Sequence, residues 1–183
     1  MRLFTGFDLS VEVVRRLDGL LDQLRPTANI KWSPAANLHV TIRFIGEWPE
    51  ARLPDLVGAL AALPSHPAVT IHVRQLGFFP NPHSPRIFWA GVEASPELVA
   101  VAADTDLALQ PLGLPPESRP YRPHLTLARI KEPVAIQKLR ESIAALPSDD
   151  FGTFIAGSFF LYQSLTGASG SVYTKLAEFP LSK

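Results

Sequence analysis

The pattern His-x-Thr occurs twice in this chain, at His39-Val40-Thr41 and again 85 positions later at His124-Leu125-Thr126. Each copy sits in a run dense in β-forming residues. Strand side chains alternate between two faces, so a His and a Thr two residues apart share one face and the apolar residue between them points the other way. A chain carrying this arrangement twice is held to few architectures. It needs two strands, over 38–45 and 123–130, each with one face buried and in a fixed register.

The surrounding pattern says how those strands are packed. Residues 3–7 read as a short strand. Ser10 then caps a helix over 11–24, with Glu12 in its first turn, apolar Val14, Leu17, Leu21 and Leu24 at helical spacing, and Pro26 beyond its end. A strand at 30–32 precedes the first motif strand. A second helix is expected over 50–63, strands over 69–76 and 86–92, and a third helix from the cap-Pro-acid start Ser95-Pro96-Glu97 to about 109. The proline-rich stretch PLGLPPESRPYRP delivers the chain to the second motif strand. A fourth helix over 134–146 and a closing hairpin of 154–165 with 172–179 complete the series.

Strand pairs interrupted by single helices imply an α+β fold with mostly antiparallel sheet. The recurrence of strand, helix and His-x-Thr strand implies a duplicated half. At 183 residues the chain fits one domain over 1–183, with room for two lobes.

Composition narrows the chemistry. There is no cysteine, which excludes disulfides, thiolate metal sites and a cysteine nucleophile. Formal net charge is zero, so polyanion binding would be local, through a few placed arginines. The N-terminus reaches Asp8 before any long apolar run, and no stretch approaches the roughly 18 apolar residues that span a membrane. The expectation is a cytoplasmic monomer.

Two imidazoles and two hydroxyls in one pocket suffice for acid–base chemistry on a phosphodiester. A neutral imidazole accepts a proton near pH 7 and an imidazolium donates one. Hydroxyls and arginines serve the charged oxygens. Arg43, four residues after His39, is in phase with the first motif and is expected in the pocket. Arg129, five residues after His124, is out of phase, and reaches the pocket only if its strand bulges or ends near Ala128. A metal site is the rival use of two histidines, but catalytic zinc needs a third protein ligand. Neither motif has a carboxylate in phase, and Glu47 lies beyond the predicted strand end. No metal or cofactor is expected.

Taken together, RLFTGFDL, NLHVTIRFIGE, RIFWAGV, RPHLTLAR and FLYQSLTGASGSVYTKL resemble the 2H phosphoesterases, specifically the RNA 2′,3′-cyclic phosphodiesterases also called 2′-5′ RNA ligase-like proteins. The resemblance covers nearly the whole chain. It implies a bilobal α+β fold with both motifs lining a central cleft, and metal-free hydrolysis of RNA ends bearing a 2′,3′-cyclic phosphate to 2′-phosphomonoesters. By position it makes His39 the proton donor to the 3′-oxygen, His124 the proton acceptor from water, and Thr41 and Thr126 the holders of phosphate oxygens. It also makes Arg129 a substrate ligand, which requires a strand irregularity. Arg43 has no such counterpart and rests on strand phase alone.

Other residues read more plainly. His66 and His72 are expected at edges or in solvent and His83 in a loop, while Trp32, Trp89 and Phe78-Phe79 are expected in the core. Phe4 and Phe7 are the candidates for a base-stacking ring at the cleft rim. Two further functions fit the same pocket: an RNA-end or nucleotide-binding module without turnover, and a 2′-5′ RNA ligase running the reverse reaction with the same acid and base.

Overall fold

The computed structural model describes residues 1–168 and 170–182. Chain order is β1 (Arg2–Phe7), α1 (Val11–Leu24), β2 (Lys31–Trp32), β3 (Val40–Glu47), α2 (Leu53–Ala61), β4 (Val69–Phe79), β5 (Ile87–Ala94), α3 (Pro96–Leu109), β6 (His124–Arg129), α4 (Gln137–Ala144), β7 (Asp150–Ala156), β8 (Ser158–Gly167) and β9 (Gly170–Pro180). The helix starts follow their local signals. Ser10 Oγ accepts the Val13 N–H at 3.3 Å, and α1 buries Val13, Leu17, Leu20, Leu21 and Leu24 on one stripe. Ser95 holds an extended conformation ahead of Pro96 at the first position of α3.

Two antiparallel sheets result, one in the order β3-β1-β8-β9 and one in the order β2-β6-β5-β4-β7. The α+β class with a mostly antiparallel sheet is what the strand and helix pattern predicts. Several boundaries differ, β4 for one running on to Phe79 beyond the predicted end at 76. The second helix opens with a 3-10 turn over Glu50–Arg52, because Pro54 in the first turn of α2 has no N–H to give. The fourth helix is shorter than 134–146. The run 154–165 is not one strand: the chain changes sheets at Gly157, with β7 on β4 at the edge of the five-stranded sheet and β8 on β1 in the other. A β-rich run with a lone Gly gives no local indication of two partners.

The halves of the chain are interleaved. β2, from the first half, extends the second motif's sheet, pairing Lys31 with Arg129 and Trp32 with Ala128. β8 and β9, from the second half, extend the first motif's sheet. α1 packs on β7 and α4, α3 packs on β3 and α2, and β3 also approaches β6 directly. Buried apolar residues from both sheets and α1, among them Phe7, Leu21, Ile71, Phe88, Leu125 and Leu127, form one continuous core cluster. The motif strands are thereby fixed from behind, with their other faces turned to a cleft.

Candidate active site

Both motif strands carry the same irregularity at the same place. In β6, Thr126 pairs with Trp89 and Ala128 with Phe88, so Leu127 is an extra residue without an opposite number on β5. In β3, Thr41 pairs with Gly6 and Arg43 with Thr5, so Ile42 is extra against β1. Each bulge lies three residues after the motif histidine. A bulge inverts the alternation beyond it. Leu127 and Ala128 are therefore both buried, and Arg129 returns to the side of His124 and Thr126. In β3 the same inversion turns Phe44 outward, at 59% exposure, and takes Arg43 off the motif face.

The result is a cavity of about 580 Å³ lined by His39, Thr41, His124, Thr126 and Arg129 from the motif strands. Lys31, Ser33, Phe44, Arg119 and Tyr173 complete much of its wall, with Gly167, Ala168, Gly170 and Ser171 at one side. Five of the six predicted site residues come together here. The sixth, Arg43, does not. Its guanidinium makes an ion pair through Nε with Asp106 Oδ1 at 2.9 Å, without hydrogen-bond alignment, and donates to Glu117 Oε2 at 2.9 Å and to the Pro115 carbonyl at 2.6 Å. It fastens the loop before the second motif to β3 and α3. Because its side chain is only 11% exposed, Arg43→Ala is expected to destabilise the fold by about 3 kcal/mol, read by chemical denaturation, through two carboxylates left unpaired.

The histidines are held in matching ways. His39 Nδ1 lies 2.7 Å from the Asn37 carbonyl, and His124 Nδ1 lies 2.8 Å from the Arg122 carbonyl, each two residues upstream. A carbonyl only accepts, so Nδ1 carries the hydrogen in both rings and Nε2 is left to exchange a proton. The threonine backbones are cross-braced. Tyr121, just before the second motif, donates its hydroxyl to the Thr41 carbonyl at 2.8 Å, and Ser33, just before the first, donates to the Thr126 carbonyl at 2.8 Å. Each lobe's motif is pinned by a hydroxyl from the segment leading to the other.

The two rings sit in unequal surroundings. His39 stacks on Phe4 at 4.6 Å and meets the edge of Tyr173 at 5.2 Å, with Tyr162 stacked on Phe4 behind them. Desolvation by burial holds its pKa below the ordinary histidine value, and the charges of Arg129 and His124 push the same way. The Asn37 carbonyl and the Asp8 carboxylate oppose this without overcoming it. Asp8 in turn accepts from the Tyr162 hydroxyl and the Lys175 ammonium. His124 meets Phe79 edge-on at 5.2 Å and faces the open side of the cleft.

The aromatic expectations need correction. Phe4 and Phe7 are buried, Phe4 as backing for His39, and the ring that stands exposed at the rim is Phe44. Trp32 lines the cavity. Trp89 lies across from Thr126 and over Gly77, where any Cβ would overlap its ring, so a glycine is required on β4. Phe78 stacks on buried Phe88, while Phe79 faces the cleft. His66 pairs with Asp104 at 2.8 Å and His72 with Asp150 at 3.0 Å, both away from the cavity. Among the described residues no group of three His, Cys, Asp or Glu side chains gathers as metal ligands, and no helix is long and apolar enough to cross a membrane. Sequence reasoning missed Lys31, Ser33, Arg119 and Tyr173; only for Arg119 is there a trace, in the arginines of SRPYRP.

The chain is similar to known proteins. The model of the LigT-like phosphoesterase family matches the chain twice in succession, over residues 8–89 and 91–173, one His-x-Thr in each match. The RNA 2′,3′-cyclic phosphodiesterase of Archaeoglobus fulgidus is 30% identical over 179 residues, covering 98% of this chain and 99% of the relative. Its namesake from Thermus thermophilus is 32% identical over 190 residues, covering 99% and 90%. A crystal structure of a Thermus thermophilus protein superposes with a TM-score of 0.83 at 30% identity, covering 99% of this chain and 98% of that one. Escherichia coli LigT complexed with 3′-AMP has the same fold, with a TM-score of 0.79 at 23% identity over 100% and 98% of the two chains.

Proposed function

Since the chain belongs to the LigT-like phosphoesterase family, we propose that it hydrolyses the 2′,3′-cyclic phosphate at RNA ends to a 2′-phosphomonoester, using two imidazoles and no metal. The observation that carries this reading is the matched pair of rings. Both have Nδ1 committed to a backbone carbonyl, both keep Nε2 for proton transfer, and both line one cavity with two threonines and an arginine. The names of relatives at 30–32% identity over nearly the whole chain support the substrate.

In the proposed step, water attacks phosphorus as its proton passes to His124 Nε2, and the bond from phosphorus to the 3′-oxygen breaks as His39 Nε2 gives that oxygen a proton. General acid–base catalysis of this kind is worth about 10²–10⁴-fold. Arg129 and the threonine hydroxyls take the charge on the non-bridging oxygens. Phe44, at the position in the first motif that corresponds to Arg129 in the second, offers its open face to the terminal base.

The test is product analysis on an oligonucleotide ending in 2′,3′-cyclic phosphate, in excess EDTA. A 2′-phosphate is expected. A 3′-phosphate product would refute the regiochemistry, and loss of activity on chelation would refute the metal-free mechanism.

The lowered pKa of His39 sets the pH dependence. As proton donor, His39 must be charged, and burial disfavours that form in the free protein. The alkaline fall of kcat/KM is therefore expected to begin below the ordinary histidine value of about 6.5. A bound phosphate anion favours the imidazolium, so the corresponding fall in kcat moves to higher pH. A pH profile of the residual activity of His39→Ala decides the role: the alkaline limb should vanish, whereas loss of the acidic limb would make His39 the base.

A further inference from the structure

Resting on the reading of the cavity given above, we propose that the RNA chain leading to the cyclic end lies in a second groove, so that this protein reads an oligonucleotide end in preference to a mononucleotide. The groove, of about 1020 Å³, opens from the cavity and shares His124, Phe44 and Arg119 with it. It runs between β3, the face of α3 and the loop before the second motif. A terminal nucleotide with its phosphate on the motif residues would leave this larger volume empty; the nucleotides upstream of it have to leave the cavity somewhere.

The chemistry of the groove selects its occupant. Val99 on α3 presents apolar surface at 56% exposure, a large value for a residue that lines a recess, and the rings of Phe79 and Tyr121 also line the groove. Arg119 and Arg122 are exposed at its rim and make no ion pair among the described residues, whereas the two carboxylates there, Asp106 and Glu117, share the single positive charge of Arg43. With three arginines to two carboxylates in the lining the balance is cationic, and the two unpaired guanidinium groups stand beside apolar faces that tolerate any base. Stacking surface next to free guanidinium groups is the arrangement that holds single-stranded nucleic acid without reading its sequence.

The experiment compares a cyclic-phosphate mononucleotide with a cyclic-phosphate tetranucleotide in the wild type, in Val99→Glu and in Arg119→Ala/Arg122→Ala. Val99 does not line the cavity and is exposed on a helix, so a glutamate there is expected to fold normally and to set a negative charge against the backbone phosphates. The wild type is expected to favour the tetranucleotide in kcat/KM by at least about tenfold, the size of one lost stacking contact. Val99→Glu should bring the two substrates close together by lowering only the tetranucleotide. The double arginine variant should flatten the salt dependence of tetranucleotide kcat/KM, by about 0.7 in log–log slope for each phosphate contact removed.

Equal kcat/KM for both substrates in the wild type would overturn the proposal. So would a change of oligomeric state in Val99→Glu with the substrate preference intact, which would make the groove a contact between copies. If neither substrate is turned over, the hydrolytic reading fails by itself. Fluorescence anisotropy with a labelled RNA tetramer then still decides the groove, since tighter binding by the wild type than by both variants upholds it and equal binding refutes it.

Discussion

Replacing His124 with alanine is expected to lower turnover of a cyclic-phosphate end by at least about 100-fold while leaving the fold intact. The loss follows from what the ring is proposed to do. Water is a poor nucleophile unless its proton has somewhere to go as the bond to phosphorus forms, and Nε2 of His124 is the proposed acceptor. The fold tolerates the change because the ring is held by a single hydrogen bond to the Arg122 carbonyl and an edge contact with Phe79, both at the cleft side of β6. The measurement is single-turnover hydrolysis, with circular dichroism to verify folding. A variant that kept turnover within a few fold of wild type would remove His124 from the reaction. His39→Ala should be comparable in rate but costlier in stability, since its ring fills space among Phe4, Tyr162 and Tyr173.

The second large effect is expected at Arg129. Arg129→Ala should reduce kcat/KM by about 10²-fold or more, because the guanidinium is proposed to meet charge that grows on the non-bridging oxygens in the transition state. The neighbouring arginine is the control. Arg43→Ala should lower stability yet leave KM for a cyclic-phosphate mononucleotide near the wild-type value at temperatures where the variant is folded, because Arg43 spends its donors on Asp106, Glu117 and Pro115. Simple alternation along a strand predicts the opposite ranking for these two residues. A kinetic comparison of the pair therefore tests the consequence of the bulges. If Arg43→Ala raised KM strongly and Arg129→Ala did not, the proposed phosphate site would be wrong.

These two arginines also mark where reading the sequence stops. Period-two alternation puts His and Thr of each motif on a common face, and the structure agrees for both pairs. The same rule carried further places Arg43 in the cavity, and there it fails. An inserted residue shifts everything beyond it to the other face, and nothing in Ile42 or Leu127 taken alone distinguishes an extra residue from an ordinary core one. A weak trace exists in the adjacent apolar pairs Phe44-Ile45 and Leu127-Ala128, which interrupt the alternation shortly after each histidine. It emerges when the two copies are compared with one another, instead of each with an ideal strand.

The sheet change at Gly157 is hidden for a related reason. Phe154, Ile155, Phe159 and Phe160 are all strand formers, and the choice between partners is made by β4 on one side and β1 on the other. Strand pairing is non-local, so the residues that decide it lie far away in sequence. Helix starts, in contrast, are legible from Ser10 and from Ser95-Pro96, because a cap satisfies its own neighbours' backbone groups within one turn.

What the sequence by itself determined is therefore local: two strands bearing an imidazole and a hydroxyl on one face, the caps that start two helices, and a chemistry without thiols. Tertiary structure alone decided which arginine accompanies each histidine, how the interleaved halves bring both motifs to one cavity, and which aromatic ring is left open at its rim. Short-range periodicity and hydrogen bonding fix the first set. The second depends on register between strands far apart in the chain, where one extra residue reverses the direction of every side chain that follows.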